Sequence, residues 1–379
     1  MTSVSTAGLP EIGYYALAGG APDPRALVGE AATAERLGIG SAFISERLGI
    51  KEAATIAGAI GAVSSDLGIA TGVTNFNIRH PQVTVAHANT MQALTRGRYT
   101  LGIGRGIATM LAAMGVGAAT TAQLEDFAGL VKAMMSGEPI LGHDGPAGSW
   151  PYLHVRPRPE YALPLLMTAF GPRSLRLAAR AFDAVVLHTF FSDETTARAV
   201  RTVREECERI GRDPAEVRIW SCYATIDSAL PEDVVLQKTV GRLSSYLQGY
   251  GDLMVETNRW DPAALARFRN DEIVTSIRGA IDTIATPDQL RHIATIIPAE
   301  WLEAAAVGPA EHCAVMVDRQ FDLGVDGVIM HGSSPDELAP IIEAYRGMRR
   351  PTLHSDLQNN PGARRTAVAT RASSEYRPC

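Results

Sequence analysis

The sequence predicts an α/β protein of the (β/α)₈ TIM-barrel class, with insertions after strands four and seven. Three observations carry this prediction. Short apolar runs rich in β-branched residues alternate with longer segments of helical period, eight times along the chain. Eight such units in one chain favour closure into a barrel over an open doubly wound sheet, the main structural rival. Glycine clusters also stand at the C-terminal ends of strands, the end at which parallel barrels bind ligands.

Strand one is expected over Ile12–Leu17 and a helix over Asp23–Leu37. In that helix Pro24 suits the first turn, Leu27, Ala31 and Ala34 share a face, and Gly38 stops the run. Strand two is expected over Ser41–Ser45, followed by a small-residue helix over Glu52–Ser64 whose Ala53–Ala62 stretch could pack closely against a second subunit. Strand three is expected over Leu67–Thr74, a helix from Pro81 to about Leu94, and strand four over Tyr99–Ile103. Strands five and six are Leu163–Thr168 and Ala184–Leu187, followed by a helix over Glu194–Ile210 that places Val200, Val203, Cys207 and Ile210 together. Strand seven is Val217–Tyr223 and strand eight Gly327–Met330, and the last helix carries Leu338, Ile341, Ile342 and Tyr345 on one face.

Two connections are too long to be simple loops. Residues 104–164 hold a helix and a Gly/Pro-rich stretch, Gly142–Pro164, suited to a small hairpin, and residues 228–309 read as mostly helical. Residues 1–348 form one expected barrel domain. Arg349–Cys379 lacks periodicity and reads as a disordered tail.

The net charge of −6 argues against a nucleic-acid or anionic-membrane partner. No apolar run approaches a bilayer span, and Met1–Pro10 lacks the features of a signal peptide. Cys207, Cys222, Cys313 and Cys379 form no CxxC or metal-like spacing, so a reducing cytoplasm is the expected compartment. No HExxH or carboxylate–histidine cluster argues for a metal, and no GxSxG elbow is present.

The segment Gly68–Gly106 is the most informative. Gly72 within strand three suggests a bulge, or the close approach of another backbone or a ligand. Strand four ends in Gly102-Ile103-Gly104-Arg105-Gly106. These glycines could equally make ordinary tight βα turns, and they do not form a GxGxxG dinucleotide fingerprint. His188, Thr189 and Phe190 end strand six and should line the same mouth; His331 ends strand eight, where it could transfer protons or serve as an ordinary loop histidine. His80 reads as a helix cap or ring neighbour, and His143 and His154 lie in the hairpin-like insertion.

The run T-G-V-T-N…R-H-P…L-x-x-G-R-x-x-L-G-I-G-x-G, over residues 71–106, resembles the luciferase-like monooxygenase superfamily. The nearest group is its coenzyme F420-dependent oxidoreductase branch, common in actinobacteria. E-A-A-T-A-E-R-L-G-I-G-S-A-F-I-S-E-R, L-L-M-T-A-F-G-P-R-S-L-R-L-A-A-R-A-F-D-A-V-V-L, T-P-D-Q-L and F-D-L-G-V-D-G-V-I-M-H follow in the same order, so the likeness spans Ile12–Gly347.

The resemblance implies a barrel that binds F420 or FMN and a cis peptide at Gly72–Val73, with Thr74 and Asn75 continuing a bulge behind the ring. It implies ring contacts from Glu46 and Arg47, where the family usually has Asp-His. Arg47 would place a cation at the ring edge that gains negative charge. Gly104, Arg105 and Gly106 would follow strand four, with Ile107 where some relatives carry a catalytic Glu. Phe170, Gly171, Arg173 and Ser174 would form the phosphate site at a helix start. The resemblance further implies hydride transfer to a small organic substrate, and a homodimer. The alternatives are an FMN-dependent monooxygenase, a barrel that binds a ligand without turnover, and a phosphosugar isomerase, for which no Lys or Glu base stands at the strand ends.

Overall fold

The computed structural model describes residues 8–18 and 23–363. Eight parallel strands form the barrel wall: β1 Leu9–Tyr15, β2 Ile39–Ile44, β3 Gly68–Thr71, β4 Tyr99–Gly104, β5 Leu165–Ala169, β6 Ala184–Leu187, β7 Arg218–Asp227 and β8 Gly327–His331. Each pairs with its sequence neighbour, and β8 closes on β1 through Ile12↔Val328, Gly13↔Ile329 and Tyr14↔Met330. The fold is therefore a closed TIM barrel.

Eight helices clothe it: α1 Ala26–Arg36, α2 Ala53–Val63, α3 Pro81–Thr95, α4 Thr121–Met135, α5 Pro172–Ala181, α6 Asp193–Arg209, α7 Ala310–Asp322 and α8 Pro335–Met348. The large outer core lies between strands and helices. A second cluster fills the barrel interior around Phe43, Leu166, Trp220 and Ile329. Gly61 of α2 faces α3: a methyl group there would come within 3.1–3.3 Å of Thr95, Met91 and Leu94. At that position the small residue serves packing within the chain.

Strand three carries a bulge at Gly72, one of the readings its sequence offered. Pairing with β4 steps from Ala70↔Thr100 to Thr74↔Ile103, so one extra residue is accommodated as a bulge, and the chain resumes as a short strand at Thr74–Asn75. Strand β7 is longer than its apolar run suggested because Thr225, Ile226 and Asp227 pair with Ala306, Val307 and Gly308, a strand outside the barrel wall.

Both expected insertions are present. Between β4 and β5 stand a short helix, Ala108–Ala113, and an antiparallel hairpin of Ile140–Gly145 with Gly148–Leu153. Between β7 and β8 a set of helices from Glu232 to Leu302 builds its own core around Leu247, Phe268, Leu290 and Trp301.

The expected disordered tail needs correcting for residues 349–363, which close the bottom of the barrel. Arg218, fully buried, donates to the carbonyls of Pro10, Gln358 and Asn360, and Trp220 Nε1 donates to Pro361 O at 2.8 Å. Asn360 bonds Thr100 Oγ1 at 2.6 Å and the Gly97 carbonyl at 2.7 Å. Composition concealed this because the contacts that hold the segment are all long-range: its carbonyls on Arg218 and Trp220, the Asn360 side chain on Thr100 and Gly97, and Arg349 on Glu11. Residues 364–379 lie outside the described residues.

The bulge imposes a packing constraint on β4. A methyl group on Gly102 would overlap the Thr71 carbonyl oxygen, and one on Gly104 would overlap the Val73 side chain. Gly102→Ala should therefore destabilise the protein by about 3 kcal/mol or more, since neither backbone can yield. Urea denaturation checks this, with Gly58→Ala as control because nothing lies within 4 Å of a methyl there.

Candidate active site at the barrel mouth

The bulge is fixed from three sides. Gly72 N donates to Ile44 O at 2.7 Å, Tyr15 Oη donates to Gly72 O at 2.9 Å, and Glu46 N donates to Val73 O at 3.1 Å. Thr71 Oγ1 bonds both the carbonyl and the amide of Gly102, each at 2.8 Å. The Gly72–Val73 peptide is cis. Gly72 is buried, and its missing side chain leaves room for Phe43 and Tyr15, each 3.2 Å from where a methyl group would stand, so the bulged peptide is seated on them at the C-terminal end of the strands.

Glu46 is a support rather than a surface group. Its carboxylate is buried and accepts from Ala53 N at 3.0 Å, Thr74 Oγ1 at 2.8 Å and Arg79 at 3.4 Å, while Arg79 also pairs with Glu52. One carboxylate thus joins the end of β2, the start of α2 and the bulge. The Glu52 carboxyl also accepts from Ala54 N and Thr55 N, which together with Arg79 hold it well down, at about 2, against the opposing effect of burial.

Arg47 begins a tight loop closed by Arg47 N to Lys51 O at 3.3 Å and Lys51 N to Arg47 O at 3.0 Å. Lys51 is buried and donates to Ala16 O at 2.7 Å and Leu17 O at 3.0 Å, at the end of β1. Burial, then the nearby Arg47, pulls the Lys51 ammonium down to about 8. Burial also lowers Arg47, and Arg242 adds repulsion.

Aromatic side chains form the opposite wall. Phe170, at the end of β5, stacks on His188, at the end of β6, with ring centroids 4.0 Å apart. His188 Nδ1 lies 2.9 Å from the Thr189 carbonyl, which only accepts, so Nδ1 carries the proton and Nε2 accepts from Tyr250 Oη at 2.9 Å. Burial holds this neutral imidazole down to about 4. Tyr246 and Tyr250 stack at 5.6 Å and project from the helix Arg242–Asn258, whose path breaks at Tyr250 (φ −156, ψ 38). Tyr246 Oη is 3.4 Å from His331 Nε2, and His331 Nδ1 is buried with no hydrogen-bond partner among the described residues. Burial, Arg242 and His188 keep His331 neutral.

Between β4 and β5 the site becomes polar. Arg105 donates to Ser174 Oγ at 3.0 Å, and Gly171 starts α5 with no side chain capping its amides. Arg173 is exposed beside them. Gly106 takes φ +69 with Asn75 against it, a conformation that favours glycine.

A luciferase-like monooxygenase family model matches residues 5–327. The chain belongs to this family. It is 24% identical over 271 residues to 5,10-methylenetetrahydromethanopterin reductase of Methanolobus tindarius, covering 70% of this chain and 77% of that one. The structure of the coenzyme F420-dependent tetrahydromethanopterin reductase of Methanopyrus kandleri matches with a TM-score of 0.74 at 15% identity, over 90% of this chain and 99% of that one. A riboflavin lyase solved with modified FMN and riboflavin matches with a TM-score of 0.62 at 14% identity, over 93% and 98%. At these identities the two structural likenesses speak to the fold.

Against the luciferase-like pattern, the structure brings Arg47, Gly72, Val73, Phe170, His188 and His331 to one mouth and gives other tasks to several expected contacts. Glu46 and Thr74 bond each other behind the bulge; Gly104 makes room for Val73; Thr189 turns its hydroxyl to Cys222 Sγ at 3.0 Å. His80 caps α3, His87 bonds Tyr99, and His143 bonds Asp126. Sequence reasoning missed Tyr15, Lys51, Arg242, Tyr246 and Tyr250. Tyr15 was within reach, since it lies near the end of the expected first strand; Arg242, Tyr246 and Tyr250 stand at helical spacing, which does not tell which strand ends they cover.

The buried neutral histidines set a pH dependence. The folded His188 titrates near 4, against 6.5 for a free imidazole. The unfolded chain therefore takes up the proton first as pH falls. Stability should be level above pH ~7 and decline from ~6.5 towards ~4, by up to about 3 kcal/mol for this group. Melting curves across that range check it, and His188→Gln should flatten the slope.

Proposed function

We propose that this luciferase-like protein is an F420-dependent oxidoreductase that exchanges a hydride with a small organic substrate at the barrel mouth. One juxtaposition carries the reading: the bulged Gly72–Val73 peptide and the uncapped start of α5, flanked by Arg105 and Arg173, both stand at the C-terminal end of the strands. A flat tricyclic ring suits the first and a phosphate the second. The likeness to an F420-dependent reductase supports the same choice.

Gly72, Val73, Asn75 and Gly106 would back the ring, and Gly171, Arg173, Ser174 and Arg105 would hold the phosphate. When bound, the deazaflavin supplies the hydride-carrying carbon C5. The chain supplies orientation, a dry aromatic wall and charge. Arg47 contributes positive charge at the mouth. His331, neutral and with Nδ1 open, would hold or move the proton that accompanies hydride transfer.

FMN-dependent oxygenation is the second reading, favoured by the similar ring shape and by the flavin-bound structural relative. Titration of the purified protein with F420 and with FMN, followed by fluorescence quenching and then hydride exchange, separates the two. F420 is expected to bind and to exchange hydride. Arg105→Gln and Arg173→Gln should each weaken it about tenfold through loss of a charge-assisted phosphate contact. Binding of FMN alone sinks the F420 reading, and binding of neither cofactor favours a barrel without a redox role.

A further inference from the structure

We propose that the substrate is an organic carboxylate, its apolar or aromatic body lying along Tyr246, Tyr250, Phe170 and His188 and its carboxylate meeting Arg47 and Arg242. The inference rests on the reading above for the mouth being a reaction chamber, and it names the substrate class.

The cations arrive there from separate segments. Lys51 is anchored on the last carbonyls around β1, and the Arg47–Lys51 loop closes on itself at the end of β2. Arg242 opens the helix that crosses the mouth; its guanidinium lies 5.9 Å from the Tyr246 ring centroid, and Tyr246 reaches His331 at the end of β8. Arg47, Lys51 and Arg242 therefore converge where β1, β2 and β8 end. Gathering like charges away from water is unfavourable, and each of these groups raises the cost of the next. Asp282 pairs with Arg242 at 2.6 Å and attracts Arg47 as well, while Ser245 donates to its other oxygen at 2.7 Å. With Glu30 attracting Lys51, three cations here face two carboxylates, Asp282 and Glu30, and the excess of one positive charge is what an anion would meet.

Position separates this receptor from the cofactor's phosphate. In the strand order of the closed barrel, β1 and β5 stand across the axis from each other. The proposed phosphate seat is at β5, so one cofactor phosphate cannot also fill the β1–β2–β8 side. The guanidinium fork matches the two oxygens of a carboxylate. Aromatic side chains line the mouth beside the charged end, with the stacked pairs Phe170–His188 at the ends of β5 and β6 and Tyr246–Tyr250 on the crossing helix, which suits an apolar body.

The test uses the full chain without cofactor. Calorimetric titration with benzoate, benzamide and inorganic phosphate should show benzoate binding at least about tenfold more tightly than either of the others, and weakening as salt is raised. Arg47→Gln should weaken benzoate at least tenfold and leave benzamide unchanged; Arg242→Lys, which keeps the charge opposite Asp282, should lose less. Melting temperatures close to the parent's establish that both variants fold. The proposal is overturned if benzoate does not bind, if benzamide or phosphate binds as well as benzoate, or if Arg47→Gln weakens F420 or FMN instead of benzoate. Benzoate binding by a chain that takes neither cofactor would keep the anion site and sink the cofactor reading, so the two failures are distinct.

Discussion

The Thr71 carbonyl lies directly against Gly102 of β4 and the Val73 side chain against Gly104, and the shape of the mouth depends on those contacts. Two missing side chains leave the room for one extra residue in strand three, and Thr71 then locks the strands together through both polar groups of Gly102. The Gly72 carbonyl is held by Tyr15 and the Val73 carbonyl by the Glu46 amide. Through its side chain Glu46 carries the constraint on to α2, Thr74 and Arg79. The bulge is thus fixed through its backbone and supported by a buried carboxylate whose oxygens are all engaged, which is what makes its burial tolerable.

The second determinant of the mouth comes from outside the barrel. The helix Arg242–Asn258 belongs to the insertion after β7 and rests on that insertion's own core. It delivers Arg242, Tyr246 and Tyr250 over strand ends that would otherwise face solvent. The two histidines beneath it consequently stay neutral, and the hydrogen bond from Tyr250 fixes the tautomer of His188. A rigid wall of neutral rings on one side and gathered cations on the other gives the chamber a direction that the symmetric barrel lacks.

The parts legible in the sequence were those governed by local rules. Strand six was legible to the residue because Ala184–Leu187 is a short apolar run between clear breaks, and Gly72 announced a bulge because glycine within a buried strand has few other uses. The glycines of strand four were visible, but their purpose was not: Gly102 admits the Thr71 carbonyl and Gly104 the Val73 side chain. Glu46, expected as a ring contact, supports the bulge instead, and the partners that decide this, Thr74 and Arg79, lie 28 and 33 residues away. Tyr246 and Tyr250 were invisible because a helix outside the barrel repeat gives no hint of which strand ends it will cover. Residues 349–363 were misjudged because the contacts that hold them, Arg218 and Trp220 on their carbonyls among them, are long-range.

The account stands on the ring seat at Gly72 and the phosphate seat at α5 belonging to one cofactor. A crystal structure of the protein grown with F420 tests this most directly. The deazaflavin ring should lie face-on to the Gly72–Val73 peptide, its phosphate at the start of α5 within reach of Arg105 and Arg173, with the Arg47–Arg242 side left open to substrate. A ring bound away from the bulge, or a phosphate held by Arg47 and Arg242 instead, would contradict it.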